Sequence, residues 1–131
     1  KSLIIVDDDK VLNSLIKKYI EKNFPSIKVF QAFDGFEAGS LMAKERPGLV
    51  LLDLDLPGVD GFSLCKKIKR DVMFKNPFIV VITALKDVDL AEKVSDLGSN
   101  YFLTKPLNME QVGAIVNQWV GMATDKANDE S

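Results

Sequence analysis

The sequence contains no histidine and a single cysteine, Cys65. A mechanism that needs an imidazole base, nucleophile or metal ligand must therefore borrow it from another molecule. One cysteine excludes an internal disulfide and any Cys-cluster metal site, and it fits a reducing compartment. Long hydrophobic runs are missing too; none approaches the roughly 18 residues of a membrane span. The opening KSLIIVDDDK turns acidic after four apolar residues, unlike a signal peptide. Lys1 stands where Met would begin a reading frame, as processing or trimming would leave it. The net charge is only -2, so there is no electrostatic case for nucleic acid or a membrane surface. Together these absences predict a cytoplasmic protein that touches neither.

What remains is ordinary globular material. The chain has 131 residues, 47% hydrophobic and 27% charged, enough for one domain that folds without staples. Five short apolar runs stand out: LIIV (3–6), IKVFQAF (27–33), GLVLLDL (48–54), FIVVIT (78–83) and NYFLT (100–104). The first, third and fourth are continuously apolar, as strands buried on both faces of a parallel sheet are. Helical periodicity fills the gaps. Val11, Leu12, Leu15, Ile16, Tyr19 and Ile20 make a stripe in 10–24, and Phe36, Leu41 and Met42 a weaker one in 34–46. Phe62, Cys65, Ile68 and Val72 repeat in 61–73, and Leu90, Ala91, Val94 and Leu97 in 87–97 before the stop at Gly98. Met109, Val112, Ile115, Val116 and Trp119 repeat in 108–120 behind the N-cap candidate Asn108. Strand and helix alternate five times, which predicts a three-layer α/β/α fold around a parallel sheet. Residues 1–121 form the domain, and 122–131, small and polar, read as a flexible tail or the start of a linker.

In an open parallel sheet, ligands bind beyond the carboxyl ends of the strands. Those ends carry Asp7, Asp8 and Asp9 after the first strand, Asp53 and Asp55 after the third, Thr83-Ala84 after the fourth and Thr104-Lys105-Pro106 after the fifth. Carboxylates crowded on one rim repel unless a cation sits among them. With no histidine and one cysteine, hard oxygen ligands remain, which favours Mg2+ (or Mn2+ or Ca2+) over zinc or copper. A carboxylate beside a metal can also attack phosphorus and form an aspartyl phosphate.

These pieces, IIVDDD (4–9), LLDLDLPGVDGF (51–62), VITA (81–84) and NYFLTKPL (100–107), resemble the receiver domain of bacterial two-component response regulators, the CheY-like fold. The likeness spans residues 2–120. It implies a flavodoxin-like five-stranded sheet of order 2-1-3-4-5. It further implies that Asp53 accepts a phosphoryl group from the phosphohistidine of a histidine kinase or histidine phosphotransfer protein. Asp7 and Asp8 would be the acidic pair that binds Mg2+, with Asp55 supplying a backbone carbonyl to the metal. Thr83 and the Ala84 amide would bind the phosphate, and Lys105 would contact a phosphate oxygen before a cis bond to Pro106. Phe102 takes the switch position often held by tyrosine; the neighbouring Tyr101 points to the other face. The Asp55 side chain would tune phosphate lifetime. Phosphorylation would then change the surface of the fourth helix, fifth strand and fifth helix, which binds an output domain or forms a homodimer. On this reading the chain is a switch with phosphotransfer and autodephosphorylation chemistry, not an enzyme.

Plainer readings compete. Asp9 suffices to cap the helix from Lys10, and Asp53 and Asp55 could be turn residues before Pro57-Gly58. Asp60-Gly61 is assigned to structure, as turn and helix start. Thr83 alone is a β-branched strand residue, Lys105 a surface lysine, and Lys66, Lys67, Lys69 and Arg70 a solvated helix face. DLDLPG also resembles the Asp-x-Asp motif of haloacid-dehalogenase-type phosphatases, though that family places it on the first strand of a longer chain. A receiver that binds partners without phosphorylation is the third alternative.

Overall fold

The computed structural model describes the backbone of residues 1–84, 92, 93, 96 and 98–130, with side chains as far as Met122. Five strands, β1 (Ser2–Val6), β2 (Lys28–Ala32), β3 (Leu49–Asp53), β4 (Phe78–Thr83) and β5 (Tyr101–Thr104), form one sheet of order β2-β1-β3-β4-β5. All four pairings are parallel. The reversal of strand order falls between β1 and β3, so a crevice opens beyond the ends of those two strands. The expected α/β/α architecture and strand order are both present.

Helices α1 (Lys10–Asn23), α2 (Gly35–Glu45) and α3 (Gly61–Arg70) follow the first three strands, and a C-terminal helix spans Met109–Glu130. Each start has a chemical cause. Asp9, Asp34 and Asp60 are N-caps whose carboxylates accept amide hydrogens of the first turn. Asn108 does the same for the C-terminal helix, accepting from Glu110 N at 2.8 Å. The stripe Leu90, Ala91, Val94 and Leu97, expected on a helix over 87–97, lies outside the described residues. The C-terminal helix continues to Glu130, past the end of the apolar stripe at Trp119, where a flexible segment was expected. No proline interrupts 121–130, and its alanines and Lys126 are good helix formers.

The alternating faces of the sheet make two cores. Ile4, Val6, Val50, Leu52, Ile79 and Val81 pack with Ala38, Met42, Cys65 and Ile68 of α2 and α3. Leu3, Ile5, Leu49, Leu51, Val80 and Ile82 pack with Ile16 and Ile20 of α1 and with Val112, Val116 and Trp119. Every residue of β3 is buried, including Asp53. Full burial of each Leu, Ile or Val contributes roughly 1.5–3 kcal/mol, so this central strand anchors the site it ends in.

The α1 stripe is displaced from the sequence pattern. Ile16 and Ile20 are buried, but Val11 and Leu15 are exposed, and the polar Asn13 is buried instead. Val72, 88% exposed, stands in a 3-10 turn (Val72–Phe74) beyond the end of α3, so it leaves the stripe that Phe62, Cys65 and Ile68 follow.

Candidate functional site

The site is built on the carboxyl ends of β1 and β3. Asp7, just past β1, is 1% exposed, and its backbone N–H donates to the Ala32 carbonyl at 3.1 Å. Its Oδ1 accepts the Asp9 N–H at 2.9 Å, while Asp9 itself caps α1. The triplet thus divides its labour: Asp9 caps, Asp7 turns inward, and Asp8 is exposed.

Asp53 is the last residue of β3 and also 1% exposed. Its Oδ1 accepts the Asp55 N–H at 2.9 Å, and its Oδ2 accepts from Lys105 Nζ at 3.1 Å. The loop after Asp53 is held from below by Gly61. A Cβ on Gly61 would lie 2.4 Å from the Leu54 carbonyl oxygen, so only glycine lets the start of α3 approach this closely. Asp60 is the N-cap of α3, the structural role expected for it.

Lys105 follows β5, and its bond to Pro106 is cis. Its N–H donates to the Thr83 carbonyl at 2.9 Å, which fixes the loop after β5 to the end of β4. Its ammonium bridges Asp53 and Asp7, with Asp7 Oδ2 3.5 Å away. Burial would lower the Lys105 pKa, but the hydrogen bond and charge of Asp53, then Asp7, outweigh it and raise the net value. The Asp7 carboxyl moves the other way from a normal acid. Burial foremost, with the Asp53 charge adding, pushes it from 3.8 up to about 6 against the Asp9 hydrogen bond and the Lys105 charge.

Carboxylate oxygens of Asp7, Asp8 and Asp53 lie within 4.8 Å of one another. Asp7 Oδ2 is buried and accepts no hydrogen bond. A buried anionic oxygen without a hydrogen is costly, and a hard cation offsets that cost. The donor set therefore fits Mg2+: all oxygen, carboxylate-rich and open to solvent through Asp8.

Thr83 is buried at the end of β4, and next to it the Ala84 N–H donates to Asp55 Oδ2 at 3.3 Å. The Asp55 side chain is thus turned toward β4, while its backbone stays beside Asp53. Phe102 sits in β5 opposite Val81 and is 38% exposed; the Tyr101 ring lies 6.2 Å from that of Phe78. The structure brings Asp7, Asp8, Asp53, Asp55, Thr83, Ala84 and Lys105 to one rim, and places Phe102 on the edge strand.

One pair of residues at this rim escaped sequence reasoning. Asn13 is completely buried, donates to the carbonyls of Asp7 (3.0 Å) and Ala32 (3.2 Å), and accepts from Gln31 Nε2 (3.0 Å). The available signal was a polar residue three before Ile16 on the inner face of α1.

Comparison with known proteins bears on the family and the fold. The family model described as the response regulator receiver domain matches residues 3–117. Sporulation initiation phosphotransferase F of Bacillus subtilis is 29% identical over 95% of this chain and 98% of its own length. The DNA-binding dual master transcriptional regulator RpaA of Synechocystis is 33% identical over 87% of this chain, but only 46% of the regulator is covered. Similarly, the chain spans about half (54%) of the transcriptional regulatory protein CrdR of Helicobacter pylori, at 31% identity. Among solved structures, the signal receiver domain of a DNA-binding response regulator from Colwellia psychrerythraea superposes with a TM-score of 0.87. It is 32% identical and covers 92% of this chain and 98% of that one.

Proposed function

The chain belongs to the response regulator receiver domain family, and from that premise we propose that it is a phosphorylation-dependent switch whose Asp53 accepts a phosphoryl group. Family members bind Mg2+ at an acidic pocket; here Asp7, Asp8, Asp53 and the Asp55 carbonyl would hold Mg2+ (or Mn2+), which would supply charge neutralisation for the phosphoryl oxygens. The observation that carries the reading is the placement of Asp53: buried at a strand end, with Asp7 and Asp8 within 4.8 Å and the Lys105 ammonium at 3.1 Å.

A carboxylate oxygen of Asp53 forms a bond to phosphorus as the P–N bond of a partner phosphohistidine breaks and the imidazole leaves. The absence of histidine from the chain fits a donor in a separate histidine kinase or phosphotransfer protein. Lys105, which donates to Asp53 Oδ2, would meet the added charge, and Thr83 and the Ala84 N–H, which now donates to Asp55, would bind the remaining oxygens. Thr83 and Phe102 would then change position, altering β5 and the C-terminal helix, with the fourth helix expected beyond the described residues, for an output domain, a partner or a second copy. No separate substrate is turned over, so the chain acts as a switch rather than an enzyme. The domain is residues 1–121, with 122–131 a C-terminal tail or the start of a linker. Among the described residues no helix is long and apolar enough to cross a membrane. We place no direct nucleic-acid contact on this domain; of the DNA-binding relative RpaA, the chain covers only 46%.

Incubation with acetyl phosphate and Mg2+ tests this. The parent should gain one phosphoryl group and Asp53→Asn none; undiminished labelling of Asp53→Asn would remove Asp53 from the role.

A further inference from the structure

Asn13 occupies a position where α1 should be apolar. It is 0% exposed and lies one turn before Ile16 on the face that packs against the sheet. A buried carboxamide costs on the order of 1–3 kcal/mol unless its donors and acceptor are paired. Here all are paired. Nδ2 donates to the Asp7 and Ala32 carbonyls at 3.0 and 3.2 Å, and Oδ1 accepts from Gln31 Nε2 at 3.0 Å. Gln31 offers Oδ1 a donor, so the Nδ2 side of the amide must face the two carbonyls. The Ala32 carbonyl also accepts the Asp7 N–H at 3.1 Å. Asp7 is therefore tied to the end of β2 through both its N–H and its carbonyl, and Asn13 provides the second tie.

Fixing both peptide groups of Asp7 fixes its Cα and the direction in which its carboxylate leaves the chain. That direction decides whether Asp7 Oδ2, which accepts no hydrogen bond of its own, meets Asp53 and Asp8 or turns away. A leucine of similar size would bury at lower cost but would leave both carbonyls without this donor. We infer that Asn13, oriented by Gln31, is a positioning residue for the metal-binding carboxylates, setting the turn after β1 so that Asp7 and Asp8 meet Asp53. The inference rests on the reading that these three aspartates bind Mg2+.

Calorimetric Mg2+ titration of the parent, Asn13→Leu, Gln31→Leu and the double variant, each below its melting transition, tests it, with the melting temperature measured alongside. Removing the partner behind a metal ligand weakens affinity about 10–100-fold. Asn13→Leu should weaken Mg2+ binding about tenfold and Gln31→Leu about threefold. The double variant should be no weaker than Asn13→Leu, because Gln31 acts through Asn13. A merely structural role would lower the melting temperature and leave the affinity of the folded protein unchanged. Dissociation constants within about 1.5-fold of the parent in both variants would overturn the inference while leaving the acidic site intact. Should Asn13→Leu fail to fold, Gln31→Leu decides alone, since it keeps both Asn13 donors and changes a half-buried strand residue. A parent that binds no Mg2+ would overturn the acidic-site reading and this inference with it.

Discussion

Replacing Asp7 with asparagine removes one charge from a buried acidic cluster while keeping its shape. Without metal, that charge is unfavourable. Asp7 is 1% exposed, its Oδ2 accepts no hydrogen bond, and Lys105 at 3.5 Å opposes the Asp53 charge. Burial first, then Asp53, pushes the Asp7 pKa from 3.8 to about 6. That rise corresponds to about 3 kcal/mol. The folded protein holds this proton to higher pH than the unfolded chain. Between 3.8 and about 6 the folded state therefore binds more protons, and the Asp7 contribution to stability falls as pH rises. The full penalty persists at neutral pH. Asp7→Asn should thus exceed the parent in metal-free stability by about 1–3 kcal/mol at neutral pH, the lower figure allowing for lost attraction to Lys105. The asparagine Oδ1 can keep the Asp9 hydrogen bond, and its Nδ2 can donate toward Asp53. The gain should vanish below the unfolded pKa of 3.8, where the parent is itself protonated. Urea denaturation of both proteins in EDTA across this range measures it, and their difference cancels the other carboxylates. Mg2+ should close or reverse this gap: at a hundredfold excess over Kd it stabilises the parent by about 2.7 kcal/mol, and Asp7→Asn far less. A parent more stable than Asp7→Asn in EDTA at neutral pH, or a difference that does not change with pH, would refute the reasoning.

Lys105→Met removes the ammonium that bridges Asp53 and Asp7. Labelling by acetyl phosphate should slow on the order of 100-fold while the fold persists, as for loss of one preorganised charge donor; an unchanged rate would remove Lys105 from the reaction. Gly61→Ala drives a methyl to 2.4 Å from the Leu54 carbonyl. It should cost about 1–3 kcal/mol by urea denaturation and slow labelling too, because the loop after Asp53 must shift; parent-like stability would contradict the close approach.

Much of the fold is legible because parallel strands buried on both faces cannot hide. The runs 3–6, 48–54 and 78–83 coincide with β1, β3 and β4 to within a residue at each end. The caps Asp9 and Asp60 were equally readable, since an aspartate just before a periodic segment has a local partner in the first-turn amides. The rim was legible for the same reason: strand order is not needed to know that strand ends converge. Whole-helix stripes were less readable. Val11 and Leu15 are apolar yet exposed, and Asn13 is polar yet buried, because α1 faces a polar turn at one end and the core at the other. The Asn13–Gln31 pairing joins residues 18 apart and exists only once β1 and β2 lie side by side. The turning of the Asp55 carboxylate to the Ala84 N–H likewise depends on the approach of β3 and β4, which no local pattern encodes.

The central claim is that Asp53 becomes the aspartyl phosphate. Borohydride reduces an acyl phosphate to the corresponding alcohol, so treatment after acetyl phosphate and Mg2+ converts a phosphorylated aspartate to homoserine, which peptide mass spectrometry locates. The account predicts homoserine at position 53, absent when EDTA replaces Mg2+. Homoserine at Asp7, Asp8 or Asp55 instead, or labelling that persists without metal, would contradict it.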